Sequence, residues 1–291
     1  MRSPRRARWV AIPVAAAAAF ALAGCTQEQL QGYLPGSPDI TNHTSGIIGL
    51  WVTSWIVLLA VGVITWGLII WAAIAYRRRK GQTGLPPQLR YNMPIEVFYT
   101  IVPLILVLGF FAFTVKEQVS IETRDPDPDI TIEAYGKQWS WDFNYLNEDR
   151  YSTGIQGQPT GEGAGSSIDL ELLPTLYLPV DKTVEIQLKS RDVAHSFWII
   201  EFLYKKDMLP GKTNYMTFTP TEIGEYRGKC AELCGEYHSM MMFNVEVLSQ
   251  EDYDAKVAAL PEGRLGDEYN RNNNLPGTQA PLVEDGESDG E

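Results

Sequence analysis

Two of the chain's three cysteines and one of its three histidines fall in a single short stretch, Cys230-Ala-Glu-Leu-Cys234-Gly-Glu-Tyr-His238. Met240, Met241 and Met242 follow directly, and a second histidine stands upstream in Asp192-Val-Ala-His195-Ser-Phe-Trp198. Two thiolates, two imidazoles and a thioether form a soft donor set, which selects copper over hard cations. Zinc is the default ion for two cysteines and two histidines, but it gains little from a thioether, and the spacing is not that of a zinc finger. A mononuclear blue-copper site uses one cysteine, so the second thiol is left over unless both thiolates bridge two ions. A Cys-x-x-x-Cys loop allows the two sulfurs to face one cavity. His195 and a methionine would then complete one ion, and His238 and a backbone carbonyl of the loop the other. Spacing alone does not choose among the three methionines. Thiolates that bridge two ions spread one electron over both and shrink the geometry change on reduction, as an electron relay requires. The same two cysteines could instead close a disulfide in an oxidising compartment.

The charge pattern indicates where such a site would lie. The 291-residue chain has a formal net charge of −12. Residues 117–291 hold 33 acids against 14 bases, whereas residues 1–116 hold 3 acids against 10 bases, so the two parts face different surroundings. So acidic a chain is not built to neutralise phosphates, which excludes nucleic acid as a partner. With 45% hydrophobic and 21% charged residues, a packed core is within reach. Three cysteines exclude a disulfide-dense scaffold.

Residues 1–24 read as an export signal: Arg2, Arg5, Arg6 and Arg8 precede an apolar run too short to span a bilayer. The run ends in Leu22-Ala23-Gly24-Cys25, a lipobox pattern in which cleavage leaves Cys25 as a lipidated first residue; an ordinary cleavage site beside an unrelated cysteine is the alternative. Residues 25–46 read as a linker and residues 47–116 as a transmembrane hairpin. Residues 47–76 carry no formal charge and include Trp51, Trp55, Trp66 and Trp71; at ~1.5 Å per residue such a helix exceeds the ~30 Å hydrocarbon core. Arg77-Arg78-Arg79-Lys80 ends it with the positive-inside signal. Residues 97–115 supply a second uncharged span, in which Pro103 is tolerated. Starting outside at Cys25, the chain goes in and comes out again, which places everything after Lys116 outside the plasma membrane.

In residues 117–250 apolar residues alternate with polar ones, as in Ile130-Ile132-Ala134, Val184-Ile186-Leu188 and Val245-Val247, the pattern of short strands in an antiparallel sandwich or barrel. The Gly/Ser/Pro-rich stretch 152–167 reads as a surface loop. Residues 251–291 are rich in Pro, Asn, Gly and acids and read as an acidic tail, mostly disordered after about Leu260.

The run Cys230-x-Glu232-x-Cys234-x-x-x-His238-x-x-Met241, with His195 upstream, resembles the binuclear copper A signature of subunit II of the haem–copper cytochrome c oxidases, and the likeness extends from about Ile47 to Leu248. The resemblance implies a two-helix membrane hairpin followed by an all-β cupredoxin (Greek-key barrel) domain. It implies two copper ions, one held by His195 and Met241, the other by His238 and the Glu232 carbonyl, with both thiolates bridging. The Glu232 side chain resembles the family's ligand to a magnesium ion shared with subunit I. Gly136-Lys-Gln-Trp139-Ser-Trp141 is similar to the aromatic segment whose first Trp takes the electron from cytochrome c, which gives Trp139 that role. Ile95-Glu96-Val-Phe-Tyr-Thr-Ile-Val-Pro103 is similar to the start of the second helix, where the Glu stands at the mouth of a proton channel into subunit I; the alternative for Glu96 is a helix cap. Asp207-Met-Leu-Pro210-Gly211 is similar to a stretch near subunit I. The implied activity is that of subunit II of an aa3-type cytochrome c oxidase, an oxidoreductase complex in which this chain receives electrons and passes them to haem in subunit I, where oxygen becomes water. The implied partners are subunits I and III, membrane lipid, and cytochrome c or a membrane-bound cytochrome c domain of the bc complex. The lipobox and acidic tail suggest a bacterial, actinobacterial variant.

Three other readings share parts of this pattern. The copper domain of a nitrous-oxide reductase has the same ligand set but needs a large catalytic domain and no hairpin. A membrane-anchored copper chaperone of thioredoxin type uses Cys-x-x-x-Cys and a His but needs alternating helices and strands. A quinol-oxidase subunit II has the same fold without Cys230 and Cys234.

Overall fold

The computed structural model describes residues 26–85, 88, 90–157 and 168–266. Cys25 and residues 1–24, which carry the signal and lipidation readings, lie outside the described residues, as do the acidic residues from 267 onward. The chain divides into two units. One contains Ile48–Val115; the other contains Pro35–Ile47 and everything from Lys116.

After a short capped helix, α1 (Gln27–Leu30), the first unit is dominated by α2 (Thr44–Ala75) and α3 (Met93–Glu122). Both are long and apolar enough to cross a membrane. Their large side chains, from Trp55 to Trp71 and from Phe98 to Phe111, stand exposed rather than packed in a protein core, as expected of surfaces that meet lipid or partner helices. Glu96 lies in the first turn of α3, where its carboxylate accepts the Asn92 N–H at 2.9 Å while the Asn92 side chain accepts from Ile95 N. This pair of bonds closes the helix start reciprocally.

The second unit is a sandwich of two five-stranded sheets. Its strands are β1 (Ile130–Lys137), β2 (Ser140–Tyr145), β3 (Arg150–Thr153), β4 (Thr175–Pro179), β5 (Val184–Ser190), β6 (His195–Ile199), β7 (Tyr204–Met208), β8 (Asn214–Phe218), β9 (Gly224–Cys230) and β10 (Met242–Leu248). One sheet runs β3-β2-β1-β5-β8, the other β4-β10-β9-β6-β7. β1 pairs in parallel with β5, and β4 with β10, while the neighbouring pairs are antiparallel. These crossovers give the cupredoxin arrangement. Ile132, Ala134, Ile186, Leu188, Val245 and Val247, the alternating residues of the sequence, are fully buried between the sheets. Ser152 and Thr153, at the start of the Gly/Ser/Pro-rich stretch, are not loop but part of β3, paired with β2.

Two boundaries drawn from sequence move outward. Residues 35–46, read as linker, bind the β unit: Ile40 is buried in its core, Thr41 bridges to Pro220, and the Ile40 carbonyl accepts the Thr221 N–H at 2.8 Å. Residues 251–266, read as the beginning of the tail, also belong to it. α4 (Gln250–Ala258) is capped by Ser249 and buries Tyr253 and Val257, and Leu265 is buried further on. One apolar residue per helical turn was enough to dock α4, too sparse a signal to stand out from an acidic sequence.

An aromatic cluster fills the sandwich beneath the cysteine loop. Phe243 stacks on Phe197 at 4.9 Å and meets Trp141 edge-on at 5.0 Å. Gly228 on β9 faces Phe243 across the ladder, and a Cβ there would come within 1.9 Å of the ring. Gly228→Ala is therefore expected to destabilise the β unit by about 2 kcal/mol or more, seen as a lowered midpoint in urea or thermal unfolding of the detergent-solubilised chain. An unchanged midpoint would mean the ring can step aside.

Candidate metal centre

His195 opens β6 and Cys230 closes β9, adjacent antiparallel strands in which Phe197 pairs with Cys230. The remaining candidates come from the loop that joins β9 to β10. It is closed at its neck by Cys230 N–H to the Met241 carbonyl (2.9 Å) and tied to β6 by Ala231 N–H to the Ser196 carbonyl (2.9 Å). Gly235 turns this loop at φ +127, where a Cβ would also press on Gln138 and Trp139; glycine suits both demands.

The loop brings the soft donors together. Cys230 Sγ lies 3.9 Å from Cys234 Sγ, and the two are not bonded. His195 Nδ1 is 3.8 Å from Cys230 Sγ, and His238 Nδ1 is 3.5 Å from Cys234 Sγ. Met241 Sδ is 3.7 Å from Cys234 Sγ, and the Glu232 carbonyl oxygen 3.2 Å from Cys230 Sγ. The ligand atoms of His195, Cys230 and Cys234 all lie within 4.8 Å of one another. His195, Met241 and both cysteines are buried, His238 is half-buried, and the Glu232 side chain is exposed. Of the three methionines only Met241 faces the sulfurs; Met240 Sδ accepts instead from Gln156.

The electrostatics suit metal binding. Contact with the Cys234 thiol is the strongest influence on Cys230; burial opposes it and the His195 ring aids it, and the net effect holds the Cys230 thiol well below its ordinary range. Its Cys230 neighbour and burial push the Cys234 thiol far up. Burial opposes a charge on His195, but the hydrogen bond to Asp192 and contact with Cys230 outweigh it and raise the ring's pKa.

Asp192 is a functional residue that sequence reasoning passed over. Its Oδ1 accepts from His195 Nε2 at 2.7 Å, and its two oxygens also accept the backbone N–H groups of Gln138 and Val193, each at 2.7 Å. These bonds outweigh burial and keep its carboxyl below the usual range. They fix the tautomer, leaving Nδ1 turned to the sulfurs. Close packing completes the support: a Cβ at Gly136 would lie 2.8 Å from the His195 ring. Gln138 is a second such residue. Its side-chain amide donates to the Cys234 carbonyl at 2.7 Å, and Trp139 Nε1 donates to the same oxygen at 3.3 Å. The Trp139 ring meets Tyr237 of the loop edge-on at 4.9 Å. The only sequence signal for either residue was its neighbour: Asp192 precedes His195 by three positions, and Gln138 adjoins Trp139.

A cupredoxin sandwich with two thiols and two imidazoles at one end, on a chain with two membrane-length helices, defines a membrane protein with a soft-metal centre. The family model for the periplasmic domain of cytochrome c oxidase subunit II matches residues 130–248, and a probable cytochrome c oxidase subunit 2 of Streptomyces avermitilis is 41% identical over 91% of this chain and 92% of its own. The chain belongs to the cytochrome c oxidase subunit II family. Cytochrome c oxidase subunit 2 of Mycobacterium tuberculosis is 32% identical, over 89% of this chain and 84% of its own. The solved periplasmic domain of subunit II of the Bradyrhizobium japonicum cytochrome oxidase is 28% identical, covering 46% of this chain and 95% of that one, with a TM-score of 0.39.

If Asp192 orients His195, Asp192→Ala is expected to weaken copper(I) retention by about 10- to 100-fold while the fold survives. Competition against a chelator, with circular dichroism as the folding control, checks this; unchanged retention would make Asp192 a packing residue only.

Proposed function

We propose that this chain is the electron-accepting subunit of an aa3-type cytochrome c oxidase, holding two copper ions between Cys230 and Cys234. His195 and Met241 serve one ion, His238 and the Glu232 carbonyl the other. The observation that carries this reading is the pairing of each sulfur with its own imidazole Nδ1, at 3.8 Å and 3.5 Å, around two unbonded thiols 3.9 Å apart. A single tetrahedral zinc would leave Met241 Sδ and the Glu232 carbonyl without a purpose. A bound copper pair would supply reversible uptake of one electron. The protein holds both thiols in a dry pocket, commits His195 Nε2 to Asp192, and offers soft sulfur and nitrogen donors on a rigid loop.

Trp139 is the electron-intake residue. Its ring lies against Tyr237 and its Nε1 donates to the carbonyl of a thiolate ligand, a bonded path from a half-exposed aromatic surface to the metal loop. The donor is cytochrome c, or a membrane-bound cytochrome c domain of the bc complex, and the electron acceptor is haem in subunit I. Glu96 takes up protons at the cytoplasmic end of α3; its place in the first turn of that helix, after the basic loop in sequence, supports this, and a carboxylate there can collect protons. The Glu232 side chain, free of the copper loop's interior, serves a magnesium ion shared with subunit I. Subunit III completes the partners. Export and lipidation at Cys25 set the topology, with the β unit on the outer side of the plasma membrane.

Metal analysis of the purified chain is expected to give two coppers, with a mixed-valence EPR spectrum that either Cys230→Ser or Cys234→Ser destroys. One zinc per chain, or an intact spectrum in either variant, defeats the assignment.

Trp139→Ala and Glu96→Ala are expected to fail differently in the assembled oxidase. The first keeps its copper spectrum but loses reduction by the donor; the second reduces copper normally and slows only the later proton-dependent turnover. Stopped-flow mixing with reduced donor separates the steps. Loss of copper in Trp139→Ala would reassign that residue to packing, and normal turnover in Glu96→Ala would leave Glu96 as the helix cap it already forms.

A further inference from the structure

The donors of the metal centre belong to the β4-β10-β9-β6-β7 sheet and its β9–β10 loop: His195 lies on β6, Cys230 on β9, and Cys234, His238 and Met241 between β9 and β10. The facing sheet supports them from across the sandwich at two points. Gln138, in the turn between β1 and β2, donates to the Cys234 carbonyl, and Asp192, just past β5, accepts from the His195 ring. These two supports are joined to each other. The Gln138 N–H donates to Asp192 Oδ2 at 2.7 Å, and beside it the Arg191 N–H donates to the Gly136 carbonyl at 2.9 Å. The seam between the end of β1 and the segment after β5 therefore sets where both supports stand.

A buried carboxylate closes that seam from the outer face of the sheet. Asp142 on β2 is 1% exposed. Its Oδ1 accepts from Lys137 Nζ at 2.7 Å and its Oδ2 from Arg191 Nε at 2.9 Å. Lys137 is the chain neighbour of Gln138, and Arg191 is the chain neighbour of Asp192. One planar group thus spans β2, the end of β1 and the end of β5, and fixes the separation of the residues that flank the two supports. Both cations are buried with it. The Thr153 hydroxyl donates to Oδ1 at 2.6 Å and accepts from Lys137 at 3.2 Å. Arg191 also donates to the Gly266 carbonyl at 2.6 Å and the Leu265 carbonyl at 3.4 Å. Residues 262–266 lie over this face as a strap, anchored where Asn144 bonds both the N–H and the carbonyl of Leu265. Hydrogen-bonded ion pairs kept from water hold their geometry, whereas an exposed pair is loose and screened. Burying such pairs brings little net stability, so stability alone does not account for their place one residue from each support.

We propose that Asp142 is a positioning residue for the metal centre. It holds Lys137 and Arg191 at a fixed separation, and through them it sets Gln138 against the Cys234 carbonyl and Asp192 against His195 Nε2. The effect passes through the peptide links 137–138 and 191–192, not through contact with the metal. The redox consequence of this clamp rests on the copper reading of the site; its mechanical consequence rests on the fold alone.

Hydrogen–deuterium exchange of the full detergent-solubilised chain, reduced and metal-free, tests the mechanical part. Two variants are compared with the native chain: D142N, and K137M, which leaves Asp142 paired with Arg191 and Thr153 and so guards against a failure to fold. In both, peptides containing the Gln138 and Arg191 amides are expected to exchange about tenfold faster, while peptides from the β4–β10 ladder keep native rates. Native rates at both amides overturn the proposal, as does an equal rise in the β4–β10 ladder, which would make Asp142 a general stabiliser. Copper loading tests the reach to the metal. D142N is expected to retain copper(I) about tenfold less tightly against a chelator and to show a shifted reduction potential. K137M is expected to shift the potential in turn, and K137R, which keeps a cation on Asp142, to return it to the native value. Unchanged retention and potential in a folded D142N chain overturn the reach to the metal. A native chain without a mixed-valence spectrum would defeat the copper reading by itself, and the exchange result would still decide the clamp.

Discussion

Everything at the metal centre hangs on one strand register. β6 and β9 run antiparallel with Phe197 opposite Cys230, and this pairing sets His195 beside a cysteine 35 residues further along the chain. Side chains alternate across a sheet, so a slip of one residue would turn His195 away from the sulfurs and Phe197 out of the core. The aromatic packing of Phe197, Trp141 and Phe243 holds the register from below. Ala231 N–H to the Ser196 carbonyl holds it from above. The site is thus positioned by hydrophobic burial, and the loop that carries most of the donors is closed onto strands that could not shift without exposing large rings.

Local features were legible in the sequence and long-range ones were not. Cys230, Cys234 and His238 lie on one loop, so their spacing alone brought them together. His195 needed either the resemblance or the fold, since nothing in its own neighbourhood points to a metal. Met241 is distinguished from Met240 and Met242 only because the chain enters β10 at Met242 and turns alternate side chains apart. Asp192 and Gln138 have ordinary polar side chains, and their role appears only when β1 and the segment after β5 lie side by side. The outer face of β1 reads as solvent-exposed, with Glu133, Tyr135 and Lys137 alternating against apolar residues. Yet these residues are buried, because a strap from residues 262–266 covers them. That strap contributes one apolar side chain, Leu265, and holds mainly through backbone groups, which leave no trace in composition.

The covered face also shows how charge is tolerated inside the β unit. Asp142 is buried with Lys137 on one oxygen, at 2.7 Å, and Arg191 on the other, at 2.9 Å, and Thr153 donates to the first at 2.6 Å. Removing either cation would strand a carboxylate out of water, whereas the complete set is satisfied. Because Arg191 spends its other nitrogens on the Leu265 and Gly266 carbonyls and lies over the Tyr135 ring at 3.8 Å, the charge network and the strap form a single unit.

The two unbonded sulfurs set a time limit on assembly. The Cys230 thiol is held below its ordinary range, and such a sulfur within 3.9 Å of a second thiol is well prepared to close a disulfide when an oxidant removes two electrons. A closed disulfide offers no thiolate to a metal, so metal and oxidant compete for the same pair of atoms. The chain is therefore safest when its metal arrives while the thiols are still reduced, and any delay must be covered by a source of reducing equivalents. The geometry that makes the finished centre compact also makes the empty one perishable.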